Sequence, residues 1–82
     1  MKLAVCSRGD DGEKIVHGHI WVQDGELQTD APGASAISWM LTYPVLDRKT
    51  NERFLPAKDP ERAMRCWVAR PAGAYSWVEK TG

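Results

Sequence analysis

Long apolar runs are missing from this 82-residue chain. None approaches the ~20 residues that a membrane-spanning helix needs. Net charge is missing as well, because 11 Lys+Arg balance 11 Asp+Glu. A general binder of nucleic acid or of anionic membrane usually carries a basic excess, so the balance argues against both classes. Cysteine is scarce, with only Cys6 and Cys66. Two thiols allow one intramolecular pairing and no disulfide framework. Met1-Lys2 runs straight into a short apolar stretch that ends at Ser7-Arg8, unlike a secretory leader. The expectation is a cytoplasmic protein with reduced thiols and no membrane association. There is no internal repeat, no low-complexity tract and no dividing linker, so residues 1–82 read as a single domain.

What the chain does have is large apolar side chains. Hydrophobic residues make up 43% of it and four are tryptophans, Trp21, Trp39, Trp67 and Trp77. A domain of this size buries only about 60–65% of its unfolded surface, so bulky rings are needed to close a core. The charge is also unevenly distributed. Residues 1–41 hold three basic and six acidic side chains, whereas residues 42–82 hold eight and five.

The order of elements follows from periodicity and turn residues. Residues 2–7 (KLAVCS) read as a first strand, and residues 8–12 (RGDDG) as a turn. Residues 13–23 alternate as a strand, with Val16, Gly18, Ile20 and Val22 on one face and Ile15, His17, His19 and Trp21 on the other. Gly18 in mid-strand suggests a bulge or a close backbone approach. Asp24-Gly25 is a preferred two-residue hairpin turn, so residues 26–29 pair back as a third strand. After a small-residue loop, residues 36–42 (AISWMLT) suit a short buried helix ended by Pro44, with a buried strand as the competing reading. Residues 45–56 read as two short extended pieces around residues 49–51. Asp59-Pro60-Glu61 is a helix start, with a cap, a proline at the first helical position and an acid in the first turn. Residues 60–69 then form an amphipathic helix, with Ala63, Met64, Trp67 and Val68 inside and Arg62 and Arg65 outside. Residues 74–80 make a last strand. The expected class is α+β: a small antiparallel sheet, an N-terminal three-stranded meander plus a C-terminal strand, packed against one or two short helices in the order β-β-β-α-(ββ)-α-β.

No catalytic signature is legible. Cys6 with His17 or His19 is the sole nucleophile–base pair that strand pairing would bring together, and no motif surrounds either thiol. Arg8-Gly9-Asp10 spells a cell-attachment tripeptide but reads as an ordinary turn. The protein is therefore expected to be non-enzymatic and to need no cofactor. The leading expectation is a small adaptor or inhibitor, in size and style like those of phages and mobile elements, that docks on another protein or complex. Trp, Tyr and Arg dominate binding hot spots, which selects His17, His19, Trp21, Arg62, Arg65, Tyr75 and Trp77 as contact residues.

Two alternatives stand beside it. Arg48, Lys49, Arg53, Lys58, Arg62, Arg65 and Arg70 fall within 23 residues and would make a nucleic-acid-binding segment, interrupted by Asp47, Glu52, Asp59 and Glu61. The other is a metal site. Residues two apart on a strand share a face, so His17 and His19 would converge on one ion, with Cys6 on the neighbouring strand as a further ligand. An exposed strand edge at either end of the sheet would also permit a homodimer.

Overall fold

The computed structural model describes residues 1–31, 36–69 and 76–81, with residues 36, 39 and 76 described by backbone alone. The expected burial of Trp39 therefore lies outside what is described. The described residues form nine elements, of which eight follow the expected order and the ninth is a 3-10 turn between β5 and α2. They are β1 (Lys2–Arg8), β2 (Lys14–Gln23), β3 (Glu26–Thr29), α1 (Ala36–Thr42), β4 (Val45–Asp47), β5 (Glu52–Phe54), a 3-10 turn (Pro56–Lys58), α2 (Pro60–Ala69) and β6 (Ser76–Lys80). Residues 36–42 are helical, not extended.

The main sheet has the strand order β3-β2-β1-β6, every pair antiparallel, and β4-β5 forms a separate hairpin. Asp24 and Gly25 both take positive φ, at 53° and 76°, as the tight turn between β2 and β3 requires. Asp59 begins α2 as its sequence promises: its Oδ1 accepts the Arg62 backbone N–H and its carbonyl accepts that of Ala63.

β1 is one of the two inner strands and reads as a continuous apolar run, Leu3 to Cys6, because all four of these residues are buried. Leu3 and Val5 face the helices. They join Ile20, Ile37, Met40, Val45, Ala63, Met64 and Trp67 in the core cluster. Ala4 and Cys6 are equally buried but lie on the opposite face, outside that cluster. Val68, expected on the inner stripe of α2, is exposed. The stripe is narrower than expected because Ala63, Met64 and Trp67 already fill the contact with the sheet.

One irregularity decides how the sheet faces are composed. Val5 pairs with Gly18 but Cys6 pairs with Val16, so His17 is the extra residue of a β-bulge. Gly18 also meets the close approach its position suggests. A Cβ built there would stand 2.7 Å from the Ala31 methyl carbon. The bulge reverses the alternation of half of β2. Val16 joins His19 and Trp21 on the face away from the helices, while His17 joins Gly18 and Ile20 on the helix side.

Candidate docking face of the sheet

The face of the main sheet that carries Ala4 and Cys6 is built from small residues along its middle and large ones around them. The pairing registers lay it out in rows. Lys2 lies beside Trp21, Ala4 lies between His19 and Glu79, Cys6 lies between Val16 and Trp77, and Arg8 lies beside Lys14. Trp21 and Trp77 are thus on the same face, two strands apart.

Each indole lies under a cation. The Lys2 ammonium is 4.6 Å from the Trp21 ring centre and the Arg8 guanidinium 5.2 Å from that of Trp77. The indole N–H groups are held by neighbours two residues on. Trp21 donates to the Gln23 side chain at 3.2 Å and Trp77 to Glu79 at 2.8 Å. The rings are therefore fixed by polar contacts at their edges rather than by burial in the core. The other Glu79 oxygen accepts a 3.1 Å hydrogen bond from Lys14, which reaches across β1 above Cys6. The Trp77 N–H and then Lys14 hold the Glu79 carboxyl below its ordinary pKa. Val16 between these groups is 49% exposed.

His19 completes the face. Its backbone N–H and its ring Nδ1 both meet the Asp30 carboxylate, at 2.7 and 3.0 Å. The backbone bond is the largest cause of the lowered pKa of Asp30. Sequence reasoning finds His19, Trp21 and Trp77 but misses Lys2, Arg8, Val16, Glu79 and Asp30. The signal for Lys2 and Arg8 lies in β1 itself, where positions 2, 4, 6 and 8 alternate against Leu3 and Val5.

His17 does not belong to this face. Its ring shares a hydrogen bond with the Ser7 hydroxyl, on the helix side of the sheet. The shared face on which a His17–His19 metal pair depends is not formed, because the bulge separates the two rings. Cys6 lies on the His19 side alone. Among the described residues no three His, Cys, Asp or Glu side chains are grouped as metal ligands.

Arg62 also differs from expectation. It faces the β4–β5 hairpin instead of solvent. Its Nε donates to Asp47 at 2.9 Å, its Nη2 donates to Thr50 and Glu52, and its guanidinium stacks 4.5 Å from the Phe54 ring centre. Arg62 is thus a clamp between α2 and the hairpin, with both its acidic partners drawn from the interruptions of the basic run. Its hydrogen bond, followed by the backbone N–H of Lys49, holds the Asp47 carboxyl below its ordinary range. A depressed carboxylate stabilises the fold above its unfolded pKa, ~3.9, and that contribution is lost as pH falls through the lowered folded value. The Asp47→Asn variant is therefore expected to have a lower urea midpoint than the wild type at neutral pH. The gap should narrow on acidification below about pH 4. A gap that is independent of pH would contradict the clamp.

The other basic residues are dispersed. Arg48, Lys49 and Arg65 line one hollow beside α2. Arg53 lines another hollow with Arg48. Lys58 sits at the end of the 3-10 turn and lines neither. Arg70 and Tyr75 lie outside the described residues.

No protein-family model, curated protein or solved structure matches this chain. What the face can do therefore rests on its own chemistry. It offers half-buried aromatic rings, two cations that stack on them, and an exposed aliphatic centre. Among the described residues no helix is long and apolar enough to cross a membrane.

Both cysteines are free, Cys6 fully buried in the sheet and Cys66 partly buried on α2. Burial pushes both thiols above their ordinary pKa. With an aromatic disulfide reagent at mildly alkaline pH, Cys66 is expected to react first and Cys6 only at the rate of global or sub-global opening. Equal rates for the two would show that the tryptophan face does not cover Cys6.

Proposed function

We propose that this protein is a non-enzymatic docking protein that binds an acidic surface of another protein through the tryptophan-bearing face of its main sheet. The observation that carries the reading is the pair of tryptophans on that face, each stacked under a cation and neither part of the core. Indole and guanidinium groups fixed on a rigid sheet lose little entropy on binding and are the side chains that dominate interface energies. Val16 supplies the apolar centre and the charged residues supply the rim, the usual anatomy of an interface.

The charge pattern supports a protein partner over a nucleic acid. Lys14 is paired with Glu79, and His19 faces Asp30, so the cations left for a partner are Lys2 and Arg8. Two cations flanked by two carboxylates suit a few well-placed Asp or Glu side chains. A phosphate backbone would meet Glu79 and Asp30 at close range. The two free thiols suit a reducing, cytoplasmic compartment.

Affinity capture from host lysate, with and without nuclease, tests this reading when the wild type is run beside a Lys2→Glu/Arg8→Glu variant. The expected result is a dominant acidic protein that survives nuclease and is lost from the variant. Each replacement puts a carboxylate where the partner presents one, and like charges placed together cost several kcal/mol at an interface. Capture that collapses with nuclease, or that is unchanged in the variant, would overturn the reading.

A further inference from the structure

We propose that the hollow between the β4–β5 turn and α2 binds a small phosphate monoester, independently of the sheet face. The hollow measures about 320 Å³, which is at the lower end of the range for small-ligand sites. Arg48 and Lys49 come from the hairpin turn and Arg65 from the second turn of α2, so residues distant in sequence place three cations around one concavity. None of these three side chains makes an ion pair among the described residues.

The carboxylate in the lining does not cancel them. Asp47 is occupied through both oxygens, by the Arg62 Nε at 2.9 Å and by the Lys49 backbone N–H at 2.9 Å. Glu52 is drawn to the same guanidinium at 3.2 Å. Arg62 thus engages both acids of the hairpin and offsets one of their two charges, while Arg48, Lys49 and Arg65 bring three positive charges that are not ion-paired among the described residues. The walls between the cations are apolar, formed by Leu46, Cys66 and Ala69.

This combination selects the ligand class. A carboxylate has two oxygens and one charge, and so leaves most of the positive charge of three cations unmatched. A phosphate monoester carries up to two charges on three terminal oxygens, which two guanidinium forks and an ammonium can share. The apolar wall takes a compact organic group on the ester oxygen. A hollow of this size has room for one such group. A nucleic-acid strand would need cations repeated along a groove, whereas Arg53 lines the other hollow and Lys58 lines neither.

Amide NMR titrations of the full chain test the proposal, with phenyl phosphate, inorganic phosphate, benzoate and a short single-stranded oligonucleotide as probes. Phenyl phosphate is expected to shift the amides of residues 47–50 and 62–69 and to bind at least about tenfold more tightly than benzoate, since the phosphate gains a second charge-assisted contact. The Arg48→Gln/Arg65→Gln variant, altered only at exposed positions, should keep its spectrum and lose about tenfold or more in affinity for phenyl phosphate. Arg65→Lys should lose less. Benzoate binding as well as phenyl phosphate would overturn the proposal, as would shifts confined to other residues. Tight, steeply salt-dependent binding of the oligonucleotide without any response to phenyl phosphate would also overturn it and assign the cations to a nucleic-acid strand.

Discussion

Replacing Gly18 by alanine is expected to destabilise the protein by about 3 kcal/mol, the upper end of the range for overpacking a close contact. The added methyl would stand 2.7 Å from the Ala31 Cβ and 3.0 Å from both the Ala31 Cα and the Ile37 Cδ1. Ile37 can give way, because its contact is the end of a side chain. Ala31 cannot, because its backbone follows directly on the β3 pairing: the Asp30 N–H donates to the His19 carbonyl and the Ala31 N–H to the Thr29 hydroxyl. The substitution must therefore move the bulge or the start of the loop. A chain of this length has on the order of 4–12 kcal/mol of total stability, so the loss is a large share of it. In thermal unfolding the shift should be roughly 12–24 °C. A melting temperature close to that of the wild type would show that β2 does not approach residue 31 in this way.

The tryptophans should separate into two energetic classes. Trp67 is 3% exposed and packs in the core cluster with Leu3, Ile20, Ile37 and Met64. Its replacement by alanine removes the largest described side chain of that cluster and leaves a cavity where α2 meets the sheet, at a cost of about 4 kcal/mol. Trp77 is only half-buried and lies outside the cluster. Truncation at Trp77 opens no enclosed cavity, and its cost is expected to be well under half that of Trp67→Ala. Chemical denaturation of Trp67→Ala and Trp77→Ala in parallel measures the difference. Equal losses would mean that Trp77 is a core residue, and the sheet face would no longer have a ring free to serve a partner.

The order of elements was legible because local rules agree along most of the chain. Asp24-Gly25 specifies a hairpin, Asp59-Pro60-Glu61 specifies a helix start, and each has the expected geometry. The 3-10 turn at Pro56–Lys58 has no signal in the sequence, since Leu55-Pro56 fits an extended segment equally well. The composition of the sheet faces was legible only in part. Gly18 pointed to a bulge, but which residue is extra depends on the pairing of β1 with β2, and a shift of one residue exchanges faces. That is why His17 and Val16 changed places. The position of Arg62 is hidden from the sequence for a related reason. Helix periodicity sets it on the outer side of α2, but its partners Asp47 and Glu52 stand 15 and 10 residues away in a separate hairpin. Non-local ion pairs of this kind have no periodic signature.

In the proposed function the tryptophan face of the sheet is where a partner sits. The most direct test is a photo-crosslinking amino acid placed at Val16, at the exposed centre of that face, and at Ala57, exposed on the 3-10 turn. Both variants would be expressed in the native host and irradiated. A specific crosslink is expected from position 16 to one acidic protein, abolished by Lys2→Glu/Arg8→Glu, with no such product from position 57. The same product from both positions, or a specific product from position 57 alone, would contradict it.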